Sequence, residues 1–174
     1  MTALYIITKF ITFPGAMVRG FWEHLVCRIC SVPVEDNRLI RKDELSSHIE
    51  HELIKTPSGA FAICFIPALM NAFLALLLAI PPVLYIFAFG MSNVLVNIVC
   101  AIAYWFSFSL YVNSYPLVED ALNMKEQVYK HGNILQKILF APGFLGCYVG
   151  AYAEKYCITF LLAVLGLIAL IVHF

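Results

Sequence analysis

From Ala60 to Asn113 the chain carries no charged residue. The first part of that run, Ala60 to Pro81, is already long enough as a helix to cross the roughly 30 Å hydrocarbon core of a bilayer. In apolar surroundings every backbone N–H and C=O must be satisfied within the segment, so such a run folds as helix and not as an open sheet. The rest of the chain agrees. Apolar residues make up 62% and charged residues 13%, with a mean hydropathy of +0.86. Soluble domains hold about a quarter charged residues, so an integral membrane protein is expected, its 174 residues forming one domain in contact with the lipid bilayer. Eleven basic against eleven acidic residues give no net charge and argue against electrostatic nucleic-acid binding.

Polar segments at 33–58 and 114–137 divide the apolar stretches. The expected fold is an all-α membrane protein of about four transmembrane helices, at 4–30, 60–81, 83–112 and 156–172, with a small cytosolic hairpin-like insertion. Gly90-Met91-Ser92-Asn93 reads either as a short hairpin turn or as the upper end of one long helix. Residues 138–152 suit a crossing, re-entrant or surface segment alike. No short apolar core ends in a small-residue cleavage site, so the first helix is expected to be retained. Arg38, Arg41, Lys42 and Lys55 in one polar segment, and Lys125, Lys130 and Lys137 in the other, place both on the cytoplasmic side by the positive-inside rule.

Six cysteines are present, and only Cys27 and Cys30 form a close pair. No second pair completes a zinc ribbon, and the others lie in apolar runs, where cysteine acts as a small hydrophobe. Among quieter features, Asn71 suits a bond to a neighbouring helix or a partner contact, while Asn97, Ser107 and Ser109 suit helix–helix hydrogen bonds. Tyr104, Trp105, Tyr111 and Tyr115 suit an interfacial aromatic belt. Gly143, Gly146 and Gly150 permit close helix packing within one chain or between copies. Acids early and lysines late in 118–130 suit a short surface helix.

The order of several motifs resembles the site-2-type intramembrane zinc proteases, in particular a small prokaryotic branch. Phe13-Pro14-Gly15 leads into Arg19-Gly20-Phe21-Trp22-Glu23, in the place of that family's His-Glu-x-x-His. Leu25 to Val34 resembles the passage into its cytosolic hairpin, and His48-Ile49-Glu50-His51-Glu52 its strand ending in His-Glu. Pro67-Ala68-Leu69-Met70-Asn71 resembles its second helix. Asn113-Ser114-Tyr115-Pro116-Leu117-Val118-Glu119-Asp120-Ala121 resembles its loop ending in Asp-Ala, whose aspartate is the third zinc ligand. The resemblance spans roughly residues 10–125 and implies a prokaryotic plasma-membrane location.

In that register Arg19 stands for the first histidine, Gly20 for the glutamate and Glu23 for the second histidine; Asp120 is retained. Paired histidines at i, i+4 grip one zinc while the glutamate polarises water. A guanidinium has donors only and ligates no metal, and Gly20 takes no proton. Arg19 and Glu23 can instead meet on one helix face, with Asp120 approaching Arg19 from the other side. Unpaired charges at that depth cost about 3 kcal/mol or more each, so pairing is expected. The degenerate positions imply a pseudoprotease without cofactor that binds or scaffolds a membrane-protein partner, with His51, Glu52 and Asn71 as candidate contacts. Two alternatives stay open: an active zinc protease with ligands rearranged to His24, His48 and His51, and a purely structural membrane subunit. Against the first, His48 and His51 would point to opposite faces of a strand, and His24 lies about 100° round the helix from the ligand position.

Overall fold

The computed structural model describes residues 3–36, 49–90 and 93–172. They are mostly helical: α1 (Ala3–Ile11), α2 (Phe13–Ile29), α3 (Pro57–Phe89), α4 (Val94–Val112), α5 (Val118–Glu126), α6 (Ile134–Lys155) and α7 (Ile158–Val172). Two short strands, β1 (Val34–Asp36) and β2 (Glu50–His51), pair antiparallel between α2 and α3, and a π-helical turn at Gln127–His131 continues α5. Three helices, α3, α4 and α6, are long and apolar enough to cross a membrane. His48 and the expected orienting cations Arg38, Arg41 and Lys42 lie outside the described residues, as do Met91 and Ser92.

The long uncharged run divides differently from the expected spans 60–81 and 83–112. α3 passes through Pro67, Pro81 and Pro82 and ends only at Gly90. Each proline removes one helical N–H, which apolar surroundings tolerate when the flanking turns hold. Gly90 adopts φ +63, a left-handed conformation open to glycine, and its N–H closes the last turn onto Ile86 at 3.0 Å. Asn93 then caps α4 by accepting from the N–H of Leu95 at 3.0 Å. At 33 residues α3 is about 50 Å long, well beyond a bilayer core. Its N-terminal half packs with α2, the π turn and α6; its C-terminal half lies along α4.

The expected first span, 4–30, is two helices broken at Thr12. Pro14, which lacks an N–H, opens α2 in the position where proline is best tolerated. The polar groups released by the break are taken up by side chains of α3 and α4. Ser109 and Asn113 donate to the Thr12 carbonyl at 2.8 and 2.9 Å, and the Gly15 N–H donates to the Ser109 hydroxyl at 2.7 Å. Asn71 donates to the Gly15 carbonyl and to that of Asn113, both at 3.1 Å. Ser107 adds a bond to Ala75 across α3 and α4 at 2.7 Å.

Residues 134–155, spanning the ambiguous 138–152 stretch, form the 22-residue α6, begun by a capping box between Asn133 and Gln136. A turn at Cys157, with φ +59, leads into α7, which has 15 residues rather than the 17 of the expected 156–172 span. The main core gathers Val26, Cys27, Ile54, Ala60, Ile63, Cys64, Met124, Val128 and Cys147. α5 contributes Ala121 and Met124 to buried positions, so it is more than a surface helix. Phe73, Leu76 and Leu84 of α3, Val94, Leu95 and Val99 of α4, and Ile138 and Leu139 of α6 remain exposed, an apolar perimeter suited to lipid.

The glycine face of α6 is used largely within the chain. A Cβ at Gly143 would meet the Phe61 ring at 2.7 Å, and one at Gly150 would meet the Tyr115 ring at 1.9 Å; Gly146 faces open space. The tightest approach of backbone to backbone is at Gly15, where a Cβ would stand 2.1 Å from the Ser109 carbonyl oxygen. Gly15→Ala is therefore expected to destabilise the protein by about 1–3 kcal/mol. Gly146→Ala, in open space, should be neutral or slightly stabilising. Thermal unfolding of the two variants in the same detergent checks both.

Candidate functional site

α2, once fixed at Gly15, carries Arg19 and Glu23 one and two turns further along its buried face. Arg19 is 7% and Glu23 1% exposed, and Gly20 between them is buried as well. The guanidinium Nη2 of Arg19 lies 3.7 Å from Glu23 Oε1, the i, i+4 contact expected of two side chains on one helix face. Arg19 also interacts electrostatically with Glu154 and Asp120. Asp120 stands in the first turn of α5, where a carboxylate suits the helix dipole.

β2 brings in the remaining groups. Ile49, just before the strand, is fully buried, and its N–H donates to Glu23 Oε2 at 3.4 Å. Alternation then returns His51 to the same face as Ile49. The His51 Nε2 lies 3.7 Å from Asp120 Oδ1, with the two side chains 5% and 11% exposed. Its other nitrogen, Nδ1, sits 3.0 Å from the Glu52 carbonyl oxygen. A carbonyl only accepts, so Nδ1 carries the proton and Nε2 faces the carboxylates. Glu23, His51 and Asp120 thus converge from α2, β2 and α5, with ligand-type atoms all within 4.8 Å of one another.

Several expected site residues lie elsewhere. His24 turns away from this centre and lines a cleft of about 380 Å³ with Arg28, Val32, Val34 and Glu35. One step along a helix swings His24 off the Glu23 face, so it does not join the group formed by Glu23, His51 and Asp120. Of the rearranged set His24, His48 and His51, His51 reaches the centre and His24 does not, while His48 lies outside the described residues. Glu52 is exposed and takes part through its backbone, donating to the Pro33 carbonyl at 3.1 Å as well as accepting from His51. Asn71, fully buried, commits its amide N–H groups to Gly15 and Asn113. That gives it the helix-joining role.

The zinc implied by the resemblance does not fit the family's own ligand positions, because Arg19 offers no lone pair. Glu23, His51 and Asp120 do offer a carboxylate, an imidazole and a carboxylate, a set that suits zinc-type ions.

A second charge cluster was not foreseen from the sequence. Lys9 of α1 bonds to Glu154 near the end of α6 and to the Asn113 carbonyl oxygen of the side-chain amide at 2.7 Å, all three residues being buried. The Lys9 ammonium also lies 5.5 Å from the centre of the Tyr5 ring. Lys9 and Glu154 are 145 residues apart, so the chain gives no local sign of the pair beyond two charges in apolar stretches.

Comparison of the chain with protein-family models, curated proteins and solved structures finds no match. The resemblance to site-2-type proteases accordingly rests on the motifs quoted above.

Removing one member of a buried ion pair strands the other, whereas replacing both with apolar residues is far better tolerated. Lys9→Met is expected to destabilise the protein by about 3–5 kcal/mol, and Lys9→Met/Glu154→Leu to recover most of that loss. A double-mutant cycle on thermal stability measures the coupling.

Proposed function

We propose that this chain is a four-span membrane protein on the site-2-type protease plan, without peptide hydrolysis, that holds an extended segment of a membrane-protein partner. The observation that carries the reading is the buried pairing of Arg19 with Glu23, with Asp120 close by. Metal-assisted hydrolysis needs a ligand set and a group that moves a proton at the attacking water. Arg19 cannot serve as a ligand or take a proton near neutral pH, and Gly20 has no side chain with which to act as base. The positions that would perform the chemistry hold a structural pair instead.

The binding surface in this reading is the outer edge of β1. Glu52 donates to Pro33, which makes that pair a hydrogen-bonded one in the antiparallel ladder. Alternation therefore turns the backbone N–H and C=O of Val34, paired opposite His51, away from β2. Val34 lines the cleft together with His24, Arg28 and Val32. An added strand needs main-chain hydrogen bonds for affinity and side-chain pockets for selectivity. The cleft supplies two valines for apolar contacts and Arg28 and Glu35 for polar ones.

The α1–α2 pair, α3, α4 and α7 provide the four crossings in this arrangement, α7 packing on α4 through Phe160 and Phe108. α6 stays beside the cytoplasmic part of α3, its Glu154 end next to Asn113. The 33–58 and 114–137 segments then lie together on the cytoplasmic side of a prokaryotic plasma membrane.

A photoreactive residue at Val32 should crosslink an extended segment of one membrane partner, recovered at full length. Val34→Pro removes the outward N–H without touching the ladder to β2, and crosslinking should fall about tenfold or more with folding retained. A crosslinked partner cut at the contact point sinks the non-catalytic reading; undiminished crosslinking in Val34→Pro sinks the docking edge.

A further inference from the structure

The geometry points to a divalent transition-metal site formed by Glu23, His51 and Asp120, in which the ion clasps β2 to α2 and α5. The inference concerns the centre already described and rests on the preceding reading only for the ion's structural, non-catalytic role.

The orientation of His51 is the first ground. The Glu52 carbonyl holds Nδ1 at 3.0 Å, which turns Nε2 toward Asp120 Oδ1 at 3.7 Å. A backbone carbonyl holding one imidazole nitrogen while the other faces the metal is the arrangement that orients histidine ligands.

Distances are the second. Bonds of about 2.0–2.2 Å in a tetrahedral site place ligand atoms roughly 3.3–3.6 Å apart. The His51–Asp120 separation of 3.7 Å is close to that value. The full set, within 4.8 Å, needs a closing movement of about 1 Å, within reach of side-chain torsions alone. Arg19 lies against Glu23 Oε1, while Oε2 points toward the Ile49 N–H. Glu23 can therefore keep its arginine contact through one oxygen and ligate through the other.

Ligand chemistry selects the ion. One imidazole with two carboxylates favours zinc, manganese or cobalt over magnesium and calcium, which take oxygen ligands. The fold has a use for such a tie. β2 is two residues long, and an isolated pair of short strands is marginal in water. Ile49 is buried just before it, and its polar contacts to α2 and α5 include the Ile49 N–H to Glu23 and His51 to Asp120.

The test uses the full chain in detergent with micromolar free zinc, followed by removal of unbound metal and determination of metal per chain. One zinc per chain is expected, with a thermal midpoint several degrees higher than in chelator, since an ion that binds only the folded state stabilises it. Cobalt in place of zinc should give the visible absorption of a nitrogen–oxygen site in the unmutated chain, independent of any variant's folding. His51→Ala and Asp120→Asn should each weaken binding at least tenfold, while His24→Ala retains it. Failure to retain stoichiometric metal overturns the clasp, as does metal kept by His51→Ala or lost in His24→Ala. None of those outcomes touches the docking edge, which the Val34→Pro crosslinking decides separately.

Discussion

A helix broken among apolar helices must find partners for the backbone groups it frees, and the rest of this structure is arranged around that requirement at Thr12–Gly15. Asn71, Ser109 and Asn113 supply those partners from α3 and α4. In surroundings without water each unmet group would cost several kcal/mol, so the three side chains fix α2 in depth and rotation together. Gly15 permits the approach because any Cβ would strike the Ser109 backbone. The register of α2 follows from that contact, and the register decides what Arg19 and Glu23 face.

Charge is the second constraint. Lys9 with Glu154, and Arg19 with Glu23, place cations and carboxylates in pairs inside the helical body. The ion pairs are weak evidence of net stability, because desolvation offsets much of the attraction. Their effect is on specificity: a one-turn shift of α1 against α6 would part Lys9 from Glu154 and leave two buried charges alone. α1 and α6 are thereby tied to one another at a point where apolar packing alone would tolerate sliding.

On this framework the small β element stands between the charged centre and the cleft beside α2. Its inner face reaches the carboxylates of Glu23 and Asp120 through Ile49 and His51, and Val34 on its outer strand lines the cleft beside α2. A change at the inner face would therefore be felt at the edge directly opposite, where Val34 pairs with His51. On the proposed reading, that geometry would couple the centre to a segment docked on the strand without movement of the helices.

The sequence by itself determined the helical class, the apolar perimeter and the adjacency of Arg19 and Glu23, because each depends on local composition or on helical period. The capping of α4 by Asn93 and of α6 by Asn133 was equally local. The course of α3 through Pro81 and Pro82 was not legible, since a proline's effect depends on what surrounds the carbonyls it leaves unbonded. His51 was read as one of several histidines; its place opposite Asp120 comes from a two-residue strand whose pairing is set by distant residues. Lys9 and Glu154 likewise meet only because α1 and α6 end at the same depth beside Asn113. Local propensity and hydropathy act over a few residues, whereas partners for buried charge are chosen by the three-dimensional arrangement that buries them.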